Sequence, residues 1–146
     1  MGLSQPGKTP NATYYVHSSY IDGRFGEVGK VYVVANDCAY FSSFGAEHEF
    51  ILMDNDNWSE YKIYEWTVHD LKMYACRSVK FRKKEYLGQY RVSSVYKAAV
   101  RASKGREFHT LSYNCKDWVK NFKYILFFYR QPSKIINEPL GALAFV

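Results

Sequence analysis

The sequence predicts a single α+β domain: a small antiparallel sheet over about residues 30–92, packed against a helix that begins at Cys115. Three observations predict it. Short β-branched and aromatic runs, punctuated by Asp, Asn and Gly, fill much of the first two thirds of the chain, as strands joined by tight turns do. Two later stretches, 93–104 and 115–127, instead repeat apolar residues at helical spacing. A chain of 146 residues that is 47% hydrophobic suffices for one core and is short for two.

Residues 1–13 are rich in Gly, Pro, Ser and Asn and read as a loose N-terminal arm. The domain is expected over 14–130, with a C-terminal tail at 131–146. Residues 14–20 alternate weakly, as a strand does, and Asp22-Gly23 followed by Gly26 marks a turn. Residues 30–35 are a β-branched and aromatic strand, and 38–45 a loop. A strand at 48–53 turns through Asp54-Asn55-Asp56-Asn57 into a hairpin partner at 58–66. Alternation there puts Tyr61, Ile63 and Glu65 on one face, and Lys62, Tyr64 and Trp66 on the other. Residues 68–74 read as a short helical turn, then 78–82 and 86–92 as two short strands joined by basic residues. Ser93 is expected to cap a helix that carries Val95, Ala98, Ala99 and Ala102 inward and stops at Gly105. Residues 108–111 are expected to be extended. Asn114 then caps the second helix, whose inward stripe is Trp118, Val119, Phe122, Ile125 and Leu126. Pro132, Pro139 and Gly141 interrupt the tail, whose apolar residues 140–146 read as an added edge strand or a free apolar end.

Composition narrows the function classes. The three cysteines, Cys38, Cys76 and Cys115, form no Cys-x-x-Cys pair, and no Cys/His spacing suits zinc. No metal or cofactor is expected. An odd cysteine count without a secretory signal points to reduced thiols and the cytoplasm. No apolar run approaches the about 20 residues that span a bilayer; the longest, 124–129, lies between Lys123 and Arg130. Pro6 stands where a myristoylation signal would need Ser or Thr.

The chemically loaded stretch is Asn114-Cys115 at a helix start. A helix N-terminus carries partial positive charge and unsatisfied N–H groups, which favour a thiolate, the nucleophilic form. Such a nucleophile needs a base that takes its proton and later gives it to the leaving group. Of His17, His48, His69 and His109, His48 heads a core strand and is the best-placed candidate. His109 is close in sequence but lies on the approaching segment, and His17 and His69 sit near loops.

The stretch from Val100-Arg101-Ala102 through Gly105, Phe108, Leu111, Tyr113, Asn114-Cys115 and Trp118-Val119 resembles the NC-motif region of the H-box/NC proteins. His48-Glu49-Phe50-Ile51-Leu52, with its hairpin partner, resembles their H-box. That family includes lecithin:retinol acyltransferase-like enzymes and small phospholipid acyltransferases. The resemblance covers about residues 28–128. It implies a papain-like fold of the NlpC type, circularly permuted so that His precedes Cys, with Cys115 as nucleophile and His48 as its base. The cellular enzymes carry a second His about a dozen residues after the first; here Glu60 stands there, so that Glu60 or Glu65 takes the orienting role or the third member is absent. Glu49 replaces an aromatic or small apolar residue, and the membrane anchor after the NC helix is missing. Short length, that missing anchor and Gly2 are most like the picornaviral 2A proteins of the H-box/NC type. Desumoylating isopeptidases share the His-then-Cys order and the Asn-Cys helix start, but their Gly-rich tail-binding groove has no counterpart here.

Charge supplies a second constellation. Residues 47–70 hold seven acids and one lysine, whereas 72–106 hold eleven basic residues and, before Glu107, only Glu85. Such polarity suits an acidic partner, or docking of the two segments on each other. Lys80, Arg82, Lys83, Lys84 and Arg91, interleaved with Phe81, Tyr86 and Tyr90, are the candidate RNA contacts, since cations neutralise phosphates and rings stack on bases. Host proteins and an anionic lipid surface are the other partners considered. The sequence therefore supports two expectations. One is a viral non-structural factor binding RNA or host protein in the host-cell cytoplasm, with its Cys-His site inactive. The other is an active Cys-His acyltransferase, phospholipase-like hydrolase or isopeptidase using Cys115, His48, Asn114 and Glu65.

Overall fold

The computed structural model describes residues 14–16, 24–37 and 47–129. Strands β1 (Tyr14–Val16), β2 (Val28–Asp37), β3 (Glu47–Asp54), β4 (Tyr61–Thr67), β5 (Asp70–Cys76) and β6 (Arg82–Arg91) precede helices α1 (Val92–Ser103) and α2 (Cys115–Phe127). A 3-10 turn, Arg24–Gly26, leads into β2. The sheet order is β1-β5-β4-β3-β2-β6. Strands β2 to β6 pair antiparallel, and β1 adds a short parallel edge to β5. The α+β expectation thus holds, with a five-stranded antiparallel sheet and two helices. The arm at 1–13, the loop at 38–45 and the tail at 131–146 lie outside the described residues.

The helices cover one face of the sheet. Val31, Val33, Ile51, Met53, Tyr64 and Trp66 point toward Val95, Ala99, Trp118, Val119 and Phe122 in one buried cluster. The Trp66 and Trp118 rings stack with centroids 6.4 Å apart. Their indoles are satisfied: Trp66 Nε1 donates to Tyr113 O (3.0 Å) and Trp118 Nε1 to Ser103 Oγ (2.9 Å). Each large apolar side chain so buried stabilises by about 1.5–3 kcal/mol. Val34, Phe50, Leu52 and Ile63 form a second cluster on the opposite face. The alternation expected for β4 is observed: Ile63 belongs to this second cluster, and Tyr64 and Trp66 to the first.

Three local expectations are corrected. Residues 68–74, read as a helical turn, form most of β5, in which Leu71 and Met73 alternate inward. The β4–β5 turn has no glycine. Asp70 takes the positive φ (66°) instead, which Asp tolerates through local hydrogen bonding. Its carboxylate accepts from Phe108 N (3.1 Å). Of the two strands expected at 78–82 and 86–92, residues 78–81 form none, and a single strand, β6, runs from Arg82 through Lys83 and Lys84 to Arg91. Because β6 is a sheet edge, charge there is tolerated and guards against edge-to-edge pairing. Gly88 (φ 115°) lies at one of its two register shifts. Finally, 108–111 turns rather than extends: His109 Nδ1 accepts from Leu111 N and Ser112 N, both at 3.2 Å. His109 is thereby committed to shaping the loop before α2.

Candidate Cys-His-Glu site

The start of α2 is built by local chemistry. Asn114 has extended backbone, and its Oδ1 accepts from Lys116 N (3.0 Å) and Asp117 N (3.1 Å). Asp117 Oδ2 in return accepts from Asn114 N (3.0 Å). This reciprocal box satisfies orphan donors of the first turn. Asn114 Nδ2 donates to Thr110 O (3.0 Å). Both ends of the Asn114 side chain are therefore used to hold backbone, and Cys115 is fixed as the first helical residue.

His48 comes from the start of β3. Alternation puts it on the strand face of Phe50, away from the helices, and its ring stacks on Phe50 with centroids 5.4 Å apart. Cys115 meets it at the strand end, where Sγ lies 3.8 Å from Glu47 O. Glu65 approaches from β4 on that same face: its Oε1 is 2.8 Å from His48 Nε2. Tyr74 on β5 pairs with Ile63, so that its hydroxyl reaches Glu65 Oε2 and donates to it at 2.7 Å. Nε2 is held by Glu65, and the Cys115 thiol lies beside the ring, close enough to favour its charged form. The resulting order is Cys115–His48–Glu65–Tyr74. Cys115 is 2% exposed and His48 6%.

Burial works against charge on the imidazole, yet its hydrogen bonds and attraction to Cys115 and Glu65 outweigh burial and raise His48 to about 9. Burial likewise opposes charge on Glu65. The hydrogen bonds from His48 and Tyr74, with the nearby positive charges of His48 and Lys72, hold it below an ordinary glutamate. Burial and the Glu65 charge push the Tyr74 phenol upward, keeping it a donor. The arrangement stores a proton on His48 between an anionic carboxylate and a sulfur. That is the disposition a general acid–base pair needs.

The structure brings Cys115, His48 and Glu65 together and puts Asn114 beside them as the cap. Glu60, the other acid considered for orienting His48, stands before β4 and acts on Cys76 instead. His69 is exposed in the β4–β5 turn, and His17 and Cys38 lie outside the described residues. Tyr74 was not anticipated. With 68–74 read as helix, its alternation with Met73 gave no reason to put it on the Glu65 face.

The basic candidates do not form one open face. Arg82 and Lys84 both bind the Glu47 carboxylate, and Lys84 lies 3.5 Å from Glu49. Lys83 sits over the Tyr32 ring at 4.3 Å. Arg91 Nη1 donates to Gly26 O (3.4 Å), while Lys80 is exposed. The acidic and basic segments thus dock on each other in part, and through the residue next to His48. Among the described residues, no group of three His, Cys, Asp or Glu could hold a metal ion. No described helix is long and apolar enough to cross a membrane.

Compared with protein-family models, curated proteins and solved structures, the chain matches none of them.

Proposed function

We propose that the protein is an H-box/NC protein of the picornaviral 2A type, with the permuted NlpC-type arrangement, and that its Cys115–His48–Glu65 site performs acyl transfer in the host-cell cytoplasm. The observation that carries this is His48, held by Glu65 at 2.8 Å with the Cys115 thiol beside its ring. In the reaction, Cys115 acts as the thiolate beside the protonated His48 and attacks the carbonyl carbon of an ester or amide. The carbonyl π electrons move to oxygen. Lys116 N and Asp117 N are occupied by Asn114, which leaves the Cys115 N–H and the helix dipole to stabilise that oxyanion. Collapse expels the alcohol or amine, which takes the His48 proton, and a thioester remains on Cys115. Water or an acceptor hydroxyl or amine, deprotonated by His48, then attacks the thioester and regenerates the thiolate. Glu65, fixed by Tyr74, keeps the ring oriented throughout. An isopeptidase would use the same three residues on a different acyl group.

The test is acylation by an activated ester, read by mass spectrometry of the intact chain and of the peptide containing Cys115. Wild type should acquire the acyl group on Cys115 ahead of Cys76, and His48→Ala should slow this about 10²–10⁴-fold. Equal rates at both cysteines, or no effect of His48→Ala, would remove the enzyme reading.

The near-closure of Cys115 and His48 to solvent favours a second reading. Here the triad is a structural relic, and the protein works by binding RNA or a host protein through Lys80, Arg82, Lys83, Lys84 and Arg91. In that case Cys115→Ala leaves partner binding unchanged, while charge reversal at Lys80 and Lys83 abolishes it in a salt-dependent RNA-binding assay.

A further inference from the structure

A cavity of about 450 Å³ lies between β6 and α2, with Val33 and Val119 in its wall and Lys84, Lys116, Lys120 and Lys123 around it. Three of these lysines belong to α2, outside the basic segment that the linear sequence singles out. They come together with Lys84 only when the helix packs on the sheet. Two acids temper the groove: Glu49 lies against Lys84 (3.5 Å) and Glu85 accepts from Lys123 Nζ (2.7 Å). Lys116 and Lys120 are exposed, with no ion pair to either among the described residues.

Lys116 and Lys120 repel each other along the helix that carries them. They are four residues apart, so like charges face each other across one turn. Lys116 also puts positive charge in the first turn, against the helix dipole. Beyond the cavity lining, the same ridge continues one turn later to Tyr124, which is 66% exposed and meets the Phe128 ring edge-on at 5.3 Å. Successive turns, about 5.4 Å apart, therefore present a cation, a cation and a ring.

We infer that the groove between β6 and α2 is a binding site for single-stranded nucleic acid, with Lys116 and Lys120 on phosphates and Tyr124, at the end of the same helical ridge, as a stacking platform. A charged track ending in an exposed ring is the pattern by which proteins follow an unpaired strand. A single chain enters a cleft between a strand and a helix, whereas a planar headgroup layer does not. The inference shares only its class of ligand with the RNA-binding reading above, and it relocates the contact from the β6 stretch to α2. It is independent of whether Cys115 reacts.

The experiment measures fluorescence anisotropy of a labelled 12-nucleotide single-stranded RNA with the full chain, between 50 and 200 mM salt. The Lys116→Glu/Lys120→Glu variant should weaken binding about tenfold or more. It should also reduce the slope of log K against log salt by about 1.4, at about 0.7 per phosphate contact on a single strand. Tyr124→Ala should weaken binding at least fivefold, within the range found for base–aromatic stacking. Lys80→Glu/Lys83→Glu should change affinity less than twofold. All exchanged side chains are largely exposed, and an unchanged urea midpoint shows that the fold is intact. The reverse ranking of the two charge-reversal pairs overturns the groove and supports the β6 surface. RNA binding untouched by either pair, or absent in wild type, overturns both. Association only with phosphatidylserine vesicles assigns the lysines to lipid and likewise overturns the proposal.

Discussion

The two helices start in opposite ways. Helix α1 follows β6 without an intervening loop. Its cap position is Arg91, with no side-chain hydrogen bond to the first turn and no acid in that turn. The serine expected to cap it, Ser93, lies inside the helix. What fixes its start is tertiary: Val92 N donates to Glu27 O at 2.8 Å, and Val92 and Val95 are fully buried. Helix α2 instead carries a complete capping box from Asn114 and Asp117, written within four residues. The difference follows from what each must hold. The start of α1 joins one packed element to another, and burial places it well enough. The start of α2 must hold one sulfur against one imidazole, which calls for backbone fixed by directional hydrogen bonds.

The most disruptive way to examine this contrast removes what the helices share. Trp118→Ala deletes the fully buried indole between α2, Ser103 and Trp66. The expected loss is about 3–5 kcal/mol, measured by urea denaturation as one cooperative transition. Two separate transitions would mean that the helices are not one unit.

Next in size is the effect of pH on the α2 side. His48 is raised from 6.5 to about 9 on folding. Its contribution is therefore fully present below about 6.5 and is lost as pH rises through about 9, on the order of 3 kcal/mol. Glu65 is lowered from 4.5, so its contribution is present above that value and is lost as pH falls through its lower folded pKa. Denaturation midpoints should be highest between about 4.5 and 6.5 on account of this pair. His48→Gln should flatten the alkaline arm. An alkaline arm unchanged in that variant would show that His48 is not the titrating group.

The smallest effects compare the caps directly. Asn114→Ala should cost about 1–2 kcal/mol, since it loses the side-chain acceptor of the box. Ser93→Ala should change stability by less than about 0.5 kcal/mol. Equal losses would mean that the two starts are held in the same way.

Much of the scaffold was legible because its signals are periodic and local. The strand at 30–35 lies within β2, the strand at 48–53 within β3, and the helix from Cys115 to Phe127 has the expected inward stripe. Illegible elements failed for identifiable reasons. β5 was hidden because Asp70, not glycine, takes the positive φ at its turn. β6 was split because Lys83 and Lys84 resemble a connector until the strand is known to be an edge. For the site, His48 and Cys115 could be named from chain order and helix position. Between Glu60 and Glu65 the sequence had no means to choose.

The sequence by itself determined the period of each segment, the cap at Asn114 and the two opposed charge segments, because these depend on residues within a turn or a strand of one another. Tertiary structure alone decided which acid meets His48, since Glu65 is 17 residues away and reaches it only when β3 and β4 pair. It decided that Tyr74 holds that acid from β5, that Glu47 takes Arg82 and Lys84, and that lysines of α2 face Lys84 across a groove. Contacts of that separation are fixed by strand order and register, which arise when the whole core closes and are not written in any one segment.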